Sequence, residues 1–232
     1  YICGRKYKSL SDWKVCFWYL IVLFFIPNSV YSGIINYRVA SIIYCNIMKI
    51  TDLKPEIVWK FFHQVTQVPR PSKKEGKMIE FLESFAKQYK IAIKKDAVGN
   101  ILMSKPATPG KESLPTVVLQ SHMDMVCEKN NGTAHDFDND PIETIVDGDW
   151  LRANGTTLGA DNGIGVAAEL AILASDDIEH GPIECLFTID EETGLTGAKA
   201  LEKGFMTGDI LLNLDSEDEG EIFMGCAGGK DT

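Results

Sequence analysis

One carboxylate stands inside a glycine-rich stretch of this sequence. The stretch is Gly159–Gly165, with Asp161 as its third residue, and it leads into an apolar run that predicts a helix. Glycines on both sides of Asp161 allow positive φ angles or a close approach of the backbone to a bound group. A phosphate-binding P-loop would need a Lys followed by Ser or Thr, and Asp161 would repel an anion. A cation is the better interpretation, because a carboxylate has two oxygens and can bridge two metal ions.

Three further polar clusters follow short apolar runs. Residues 116–120 lead into His122 and Asp124, residues 183–189 into Glu191 and Glu192, and residues 209–214 into Asp215. Helical segments separate the runs, and this alternation predicts an α/β fold with a mostly parallel sheet. In such sheets ligands bind outside the carboxyl ends of the strands. We therefore expect the three clusters to meet Asp161 at one edge of the sheet.

The simpler interpretation of any single cluster is an acidic cap on the following helix. Three clusters and Asp161 at one edge make that interpretation insufficient, because so many carboxylates would repel one another and raise their pKa values. A divalent metal would offset the repulsion. The His and carboxylate ligand set contains no Cys, which favours a catalytic zinc, or a related ion such as Mn²⁺ or Co²⁺, over a structural zinc. Two ions about 3.5–4 Å apart could share Asp161.

The spacing within the clusters suggests separate tasks. Residues two apart in an extended segment point to the same side, so Asp124 could accept a hydrogen bond from the nitrogen of His122 that does not bind metal. The side chains of Glu191 and Glu192 should diverge. One could then bind metal while the other serves as a general base.

The elements that must position these residues have recognisable patterns. An apolar face predicts a helix over Leu53–Val65, and Ser72–Glu75 has the pattern of a capping box for a second helix. Residues 91–93 and 100–103 are predicted to form two strands around a turn, and Asp147-Gly148 predicts a hairpin within residues 142–153.

On these residues the sequence resembles the aminoacyl-histidine dipeptidases, also called cytosolic non-specific or β-alanyl-histidine dipeptidases. They belong to the co-catalytic dizinc peptidase superfamily. The triplet at 161–163 points to this branch rather than to the related deacylases, and the resemblance runs from about Met48 to the end of the chain. The matching stretches are residues 117–126, 155–165, 190–194, 213–217 and 225–229.

The resemblance implies a three-layer catalytic domain and a set of metal ligands. His122 and Asp215 would bind one zinc, Glu192 would bind the other, and Asp161 would bridge the two. Mn²⁺ or Co²⁺ could substitute for Zn²⁺. The peptide bond between Asp161 and Asn162 would be cis.

The resemblance also implies a reaction. Asp124 would orient the histidine ligand, and Glu191 would be the general base that activates a zinc-bridging water. The enzyme would hydrolyse unblocked dipeptides such as Xaa-His in the cytoplasm.

Family members continue through a smaller lid domain that mediates dimerisation and supplies a further His ligand. We expect this chain to be incomplete at its C-terminus, before that domain, and the full-length protein to form a homodimer through it. None of His63, His135 and His180 looks like a replacement ligand. By itself the chain is expected to bind one zinc well and a second weakly, with little or no activity.

Two alternatives remain open at this point. One is a related aminoacylase or tripeptidase, since the lid would form most of the substrate pocket. The other, from a different functional class, is a metal-binding homologue or fragment without catalysis. The presence of both Asp124 and Glu191 argues against the second alternative, because neither is needed merely to hold a metal.

Composition agrees with a globular protein. The chain has 232 residues, of which 45% are hydrophobic and 24% charged, and its net charge of −10 argues against a nucleic-acid partner. Its six cysteines include no CxxC pair, which favours reduced thiols in a cytosolic protein.

Residues 1–47 differ from the remainder. They hold five Lys or Arg and one Asp, whereas residues 48–232 have a net charge of −14. An apolar run at 15–26 follows basic residues, as in a signal peptide, and is short for a membrane span of about 20 residues. The three interpretations are upstream sequence that is not native protein, a signal or anchor that would imply export or a membrane, and a structured extension. We expect residues 48–232 to form the N-terminal part of the dizinc peptidase catalytic domain.

Overall fold

The structure is a computed structural model, and it describes residues 48–216 and 221–225. The interpretations of residues 1–47 lie outside the described residues, as does most of the matching stretch at 225–229. None of the helices within the described ranges is both long enough and apolar enough to cross a membrane.

A five-stranded mixed sheet forms the centre of the fold. Its strands are β1 (Ala92–Lys95), β2 (Ile101–Lys105), β3 (Val117–His122), β6 (Ile183–Thr188) and β7 (Ile210–Asn213), in the spatial order β1-β2-β6-β3-β7. The pairings of β3 with β6 and with β7 are parallel, whereas β2 pairs antiparallel with both β1 and β6. The prediction that the three apolar runs form parallel strands of an α/β fold is confirmed.

Burial along the strands explains their order. All six residues of β6 are buried, as expected for the middle strand of a sheet covered on both faces. Both outer strands, β1 and β7, are exposed along their whole length. The buried core beside β6 includes Leu102, Val118 and Leu186, against which Leu201, Phe205 and Met206 pack.

Within the described residues, four α-helices accompany the sheet. They are α1 (Glu56–Thr66), α2 (Gly76–Tyr89), α3 (Ala160–Ala174) and α4 (Thr196–Ala200), and a short 3₁₀ turn covers Ile50–Asp52. Helix α3 packs against β3 and against α1. The apolar stripes of α1 and α2 are buried largely as their periodicity predicts, through Phe61, Phe62 and Val65 in α1 and through Met78, Leu82 and Phe85 in α2. Each such side chain contributes about 1.5–3 kcal/mol when fully buried.

The capping box predicted at Ser72–Glu75 is wrong. Helix α2 begins at Gly76, and the Ser72 hydroxyl donates to Asp124 Oδ2 (2.7 Å) instead of capping a helix. Glu75 Oε1 accepts the backbone N–H of Lys73 (2.8 Å) and that of Asp190 (3.0 Å). The Asp124 carboxylate and the Asp190 N–H, both distant in the sequence, thus take the side chains that the local pattern assigns to the helix.

A separate two-stranded sheet is formed by β4 (Thr144–Asp147) and β5 (Trp150–Ala153). Gly148 lies in the turn between them with φ +60°, so the predicted hairpin is confirmed. Residues Ile145–Arg152 belong to a different compact unit from the one that contains the five-stranded sheet.

Candidate metal centre

The predicted site residues lie at or just after the ends of strands in the main sheet, or at the start of a helix. His122 is the last residue of β3, Asp215 follows β7 by two residues, and Glu191 and Glu192 follow β6 after a short gap. Asp161 is the second residue of α3. Because β3, β6 and β7 are parallel, their carboxyl ends share one edge of the sheet, and the residues that follow them meet there.

His122 is the central side chain of this group and is buried, with 1% of its side chain exposed. Its Nδ1 lies 3.2 Å from Asp124 Oδ1. Its Nε2 lies 2.9 Å from Asp161 Oδ1, 3.8 Å from Asp215 Oδ2 and 4.0 Å from Glu191 Oε2. One ring nitrogen is therefore held by a carboxylate, and the other faces three more carboxylates.

Asp124 is fully buried and makes more hydrogen bonds than an orienting partner alone would need. Besides its contact with His122, it accepts the Ser72 hydroxyl and the backbone N–H groups of Glu191 (3.0 Å) and Glu192 (3.2 Å). Burial by itself raises the pKa of Asp124, but these hydrogen bonds outweigh burial and bring the pKa to about 2. Asp124 is therefore a stable anion beneath His122.

The arrangement around His122 favours a positive charge. Burial lowers the pKa of the imidazole, but the hydrogen bond and charge of Asp124, with Asp215 and Asp161, outweigh burial and raise the pKa to about 9. When Nδ1–H donates to Asp124, the lone pair of Nε2 faces carboxylate oxygens that are also acceptors. A cation at that position removes the conflict, and the imidazole and carboxylate donors are those that zinc accepts. The residues present therefore fit a divalent metal.

The pKa values of the acidic residues around His122 are raised by their burial and by their closeness to one another. Burial raises the pKa of Glu191, of Glu192 and of Asp215, and neighbouring carboxylates add to each increase. Oxygen or nitrogen atoms of His122, Asp161 and Asp215 all lie within 4.8 Å of one another. The same holds for His122, Glu191 and Glu192. The two groups meet at His122, whose Nε2 can bind only one ion, so a second ion would depend on the carboxylates of the two groups.

Glu191 and Glu192 do not diverge as their adjacent positions suggested. Both carboxylates reach His122, because residues 191–194 form a turn rather than an extended segment. The turn starts at Asp190, whose φ is +45°, and both backbone N–H groups of the glutamates donate to Asp124. Alternation of side chains holds only for extended backbone, so the rule does not apply to this pair.

The segment around Asp161 has the backbone that the resemblance implies. The Asp161–Asn162 peptide bond is cis, and Gly159 has φ +66°. Asp161 and Asn162 interrupt the helical geometry at the start of α3. The Asp161 side chain is 69% exposed and the Asn162 side chain is buried.

Sequence reasoning missed three residues that support the group. Ser72 donates to Asp124, Glu75 accepts the N–H of Asp190, and the buried guanidinium of Arg70 donates to the carbonyls of Met123 and Asp124. All three precede α2, about 50 residues before the nearest ligand. Their residue types are common on protein surfaces, and no local spacing indicates that they are buried.

The other histidines stay away from both groups. Among the residues that the structure describes, no group able to hold a metal contains His63, His135 or His180. His180 Nδ1 lies 2.7 Å from its neighbour's carbonyl, Gly181 O, and the ring of His135 packs edge-on against Phe137.

Comparison with known proteins gives an independent indication of the kind of protein to which this chain is similar. Residues 118–226 match the model of peptidase family M20/M25/M40. The chain is 50% identical over 183 residues to the cytosol non-specific dipeptidase of Escherichia coli, a match that covers 79% of this chain and 38% of that protein. Residues 118–226 of the chain thus match a peptidase M20 domain.

Solved structures agree with this M20 assignment. The aminoacylhistidine dipeptidase of Vibrio alginolyticus superposes with a TM-score of 0.76 at 52% identity, covering 77% of this chain and 36% of that one. The aminopeptidase PepT of Bacillus cereus superposes with a TM-score of 0.60 at 27% identity, covering 70% and 44%. The chain thus spans well under half the length of these relatives. The M20 match begins in β3 and includes all six candidate site residues.

Proposed function

We propose that this chain is the metal-binding part of a metallo-dipeptidase that hydrolyses unblocked dipeptides, Xaa-His among them. The observation that carries the proposal is the position of His122, whose Nδ1 contacts Asp124 while its Nε2 faces Asp161, Asp215 and Glu191. The similarity to two dipeptidases at 50% and 52% identity supports the substrate class.

The proposed ligands form two overlapping sets. His122, Asp161 and Asp215 would hold one zinc, and Asp161 with Glu192 would hold the second. Zinc ions bound there would lower the pKa of a water and polarise the peptide carbonyl, and Mn²⁺ or Co²⁺ could replace them. The short distance from His122 Nε2 to Asp161 Oδ1, 2.9 Å, supports the first set.

Glu191 is the proposed general base. It lies 4.0 Å from His122 Nε2, beside the proposed ligands, and burial raises its pKa. A carboxylate with a raised pKa can take a proton from the attacking water and return it to the leaving amine, which contributes about 10²–10⁴-fold to a rate. Asp124 keeps Nδ1 of His122 protonated, so Nε2 can bind metal.

We propose residues 48–232 as the part that carries this function and residues 1–47 as an extension outside it. The full-length protein would work in the cytoplasm and dimerise through a further domain. A related tripeptidase or aminoacylase activity is the second candidate, because the further domain would form most of the substrate pocket. Assays of dipeptides, tripeptides and N-acylated amino acids side by side separate the candidates.

The first test is zinc stoichiometry of the 232-residue chain, with Asp161→Ala and the exposed control Asp177→Ala. We expect one tight and one weak zinc in the wild type and in the control. Asp161→Ala should lose the weak site and weaken the tight one, because the shared ligand is removed. A folded wild-type chain that binds no zinc would contradict the ligand assignment.

The second test is Glu191→Gln, which removes the base and keeps the side-chain volume. In the zinc-loaded full-length protein, the rate of dipeptide hydrolysis should fall about 10²–10⁴-fold, while the zinc content stays unchanged. Hydrolysis is measured by mass spectrometry of the released amino acids, and zinc by elemental analysis. An unchanged rate would exclude Glu191 as the base. A zinc-loaded full-length wild type without hydrolysis would limit these residues to metal binding.

A further inference from the structure

Arg70 is the largest side chain buried in this structure, with 2% of its surface exposed. It lies between two prolines in the segment that joins α1 to α2. Its Nη1 donates to the carbonyls of Met123 (3.0 Å) and Asp124 (2.8 Å), and its Nη2 donates to the carbonyl of Gly159. The backbone carbonyl of Arg70 accepts the N–H of Met125 (3.2 Å).

These contacts join the two segments that carry the proposed ligands. Met123 and Asp124 follow His122 directly, and Gly159 precedes Asp161 by two residues. One planar guanidinium therefore binds both segments at once. Its donors have a fixed geometry, so it constrains the separation of the two segments as well as linking them.

Two glycines of the segment at 159–165 make space for this guanidinium. A Cβ at Gly159 would lie 2.5 Å from Arg70 Nη2, and a Cβ at Gly163 would lie 2.6 Å from the same atom. Gly159 also needs its positive φ, but Gly163 has no such requirement. The close approach of Arg70, with Phe62 Cε2 at 3.1 Å, is the reason for glycine at position 163.

The charge of Arg70 suits the same location. Burial lowers its pKa to about 10, against the opposing charges of Asp124, Asp161 and Glu192. The guanidinium therefore stays protonated at neutral pH, and its positive charge interacts with the carboxylates of Asp124, Asp161 and Glu192.

We propose that Arg70 is a positioning residue that sets the separation between the His122–Asp124 segment and Asp161, and through it the affinity for metal. Its guanidinium donates to backbone carbonyls and is not one of the proposed ligands. This inference rests on the proposed function, because it assumes that these segments supply the metal ligands.

The test compares zinc affinity in Arg70→Lys, Arg70→Met and the control Arg152→Met, which removes an exposed arginine. Chelator competition gives the affinities, and the absorption spectrum of the Co²⁺-loaded protein reports the ligand geometry. Arg70→Lys keeps the charge but loses the planar fork, so zinc affinity should fall about 10–100-fold and the Co²⁺ bands should shift. Arg70→Met should weaken binding further, and Arg152→Met should change neither quantity.

Gly163→Ala gives an independent variant in case Arg70→Met fails to fold. Its new methyl group should displace the guanidinium and lower zinc affinity while Arg70 is still present. In the double variant Gly163→Ala with Arg70→Lys, the two losses should be less than additive, because the shorter amine leaves room for the methyl group. Fully additive losses would contradict the proposal.

The outcomes separate this inference from the proposed function. Wild-type protein that binds no zinc would overturn the proposed function. Wild-type protein that binds zinc, with Arg70→Lys folded and equal in affinity and Co²⁺ spectrum, would overturn only the role of Arg70. A lower melting temperature with unchanged zinc affinity would reduce Arg70 to a purely structural residue and likewise overturn the proposal.

Discussion

At the scale of single residues, the site depends on which polar atoms are paired and which are not. Asp124 is buried and accepts four hydrogen bonds, so it is a fixed anion. His122 Nε2 faces the carboxylates of Asp161, Glu191 and Asp215, so its surroundings favour a cation. The unequal partners of the two ring nitrogens distinguish a metal ligand from a histidine that merely packs in a core.

Glu169, on α3, is a buried acid outside the ligand groups. It is fully buried, its Oε2 contacts the Ser121 hydroxyl at 3.1 Å, and its Oε1 has no hydrogen-bond partner. Burial raises the pKa of Glu169 well above its usual value, and the Ser121 hydrogen bond only partly opposes the increase. The native chain therefore holds a proton at Glu169 that the unfolded chain releases above about pH 4.5.

We expect Glu169→Gln to remove a pH-dependent loss of stability. Between the unfolded and the native pKa of Glu169, the native state binds one more proton, so the free energy of unfolding falls by about 1.4 kcal/mol per pH unit. Glutamine does not titrate. The stability of the variant relative to the wild type should therefore rise from pH 5 to pH 8, as measured by denaturant unfolding of the metal-free protein.

The control for this prediction is Glu80→Gln, which neutralises an exposed glutamate on α2. Its stability difference from the wild type should stay nearly constant over the same pH range, because its charge is in water in both states. A constant difference for Glu169→Gln as well would mean that the carboxyl ionises freely in the native state.

At the scale of elements, α4 holds the turn that carries Glu191 and Glu192. Gly197 in α4 donates its N–H to Ile189 O (3.1 Å), and its carbonyl accepts Asn100 Nδ2 (2.9 Å). A Cβ at Gly197 would lie 2.6 Å from Ile189 O and 2.7 Å from Ile189 N, both backbone atoms. Neither atom can turn away as a flexible side chain would, so α4 must approach β6 through a glycine.

Gly197→Ala should therefore destabilise the chain and loosen the turn. We expect a loss of about 1–3 kcal/mol, the usual cost of overpacking, together with weaker zinc binding. Gly76→Ala is the matched control, because a Cβ there meets no atom within 4 Å and alanine favours helix. Denaturant unfolding with and without zinc measures both variants. Equal stability of the two variants would contradict the tight approach of α4.

The strands and their common edge could be predicted from the sequence, whereas side-chain contacts between distant segments could not. Apolar runs and the polar residues that follow them predicted β3, β6, β7 and a common edge, because that edge follows from parallel pairing. The capping box at Ser72–Glu75 failed because distant segments use those side chains. The role of Arg70 could not be predicted for the same reason. Its partners Met123 and Gly159 lie 53 and 89 positions away, and no local sequence pattern indicates such contacts.

At the scale of the whole molecule, β7 is an edge strand of the five-stranded sheet as far as the described residues extend. It pairs with β3 on one side, and Ile210, Leu211 and Leu212 are each 45–48% exposed. Ile222, Phe223 and Met224 are exposed as well. An apolar edge strand offers both unpaired backbone groups and apolar side chains, the combination that drives association of sheets between chains.

We therefore expect the 232-residue chain to self-associate through β7, and Leu211→Lys to reduce this association. A lysine on an edge strand adds charge repulsion between copies, and its cost in stability should be small because Leu211 is already half exposed. Sedimentation velocity over a range of protein concentrations measures the effect. Ile178→Lys is the control, because Ile178 is 42% exposed in the loop between α3 and β6. If both lysine variants reduce association equally, net charge rather than the β7 edge governs it; if neither does, association does not use β7.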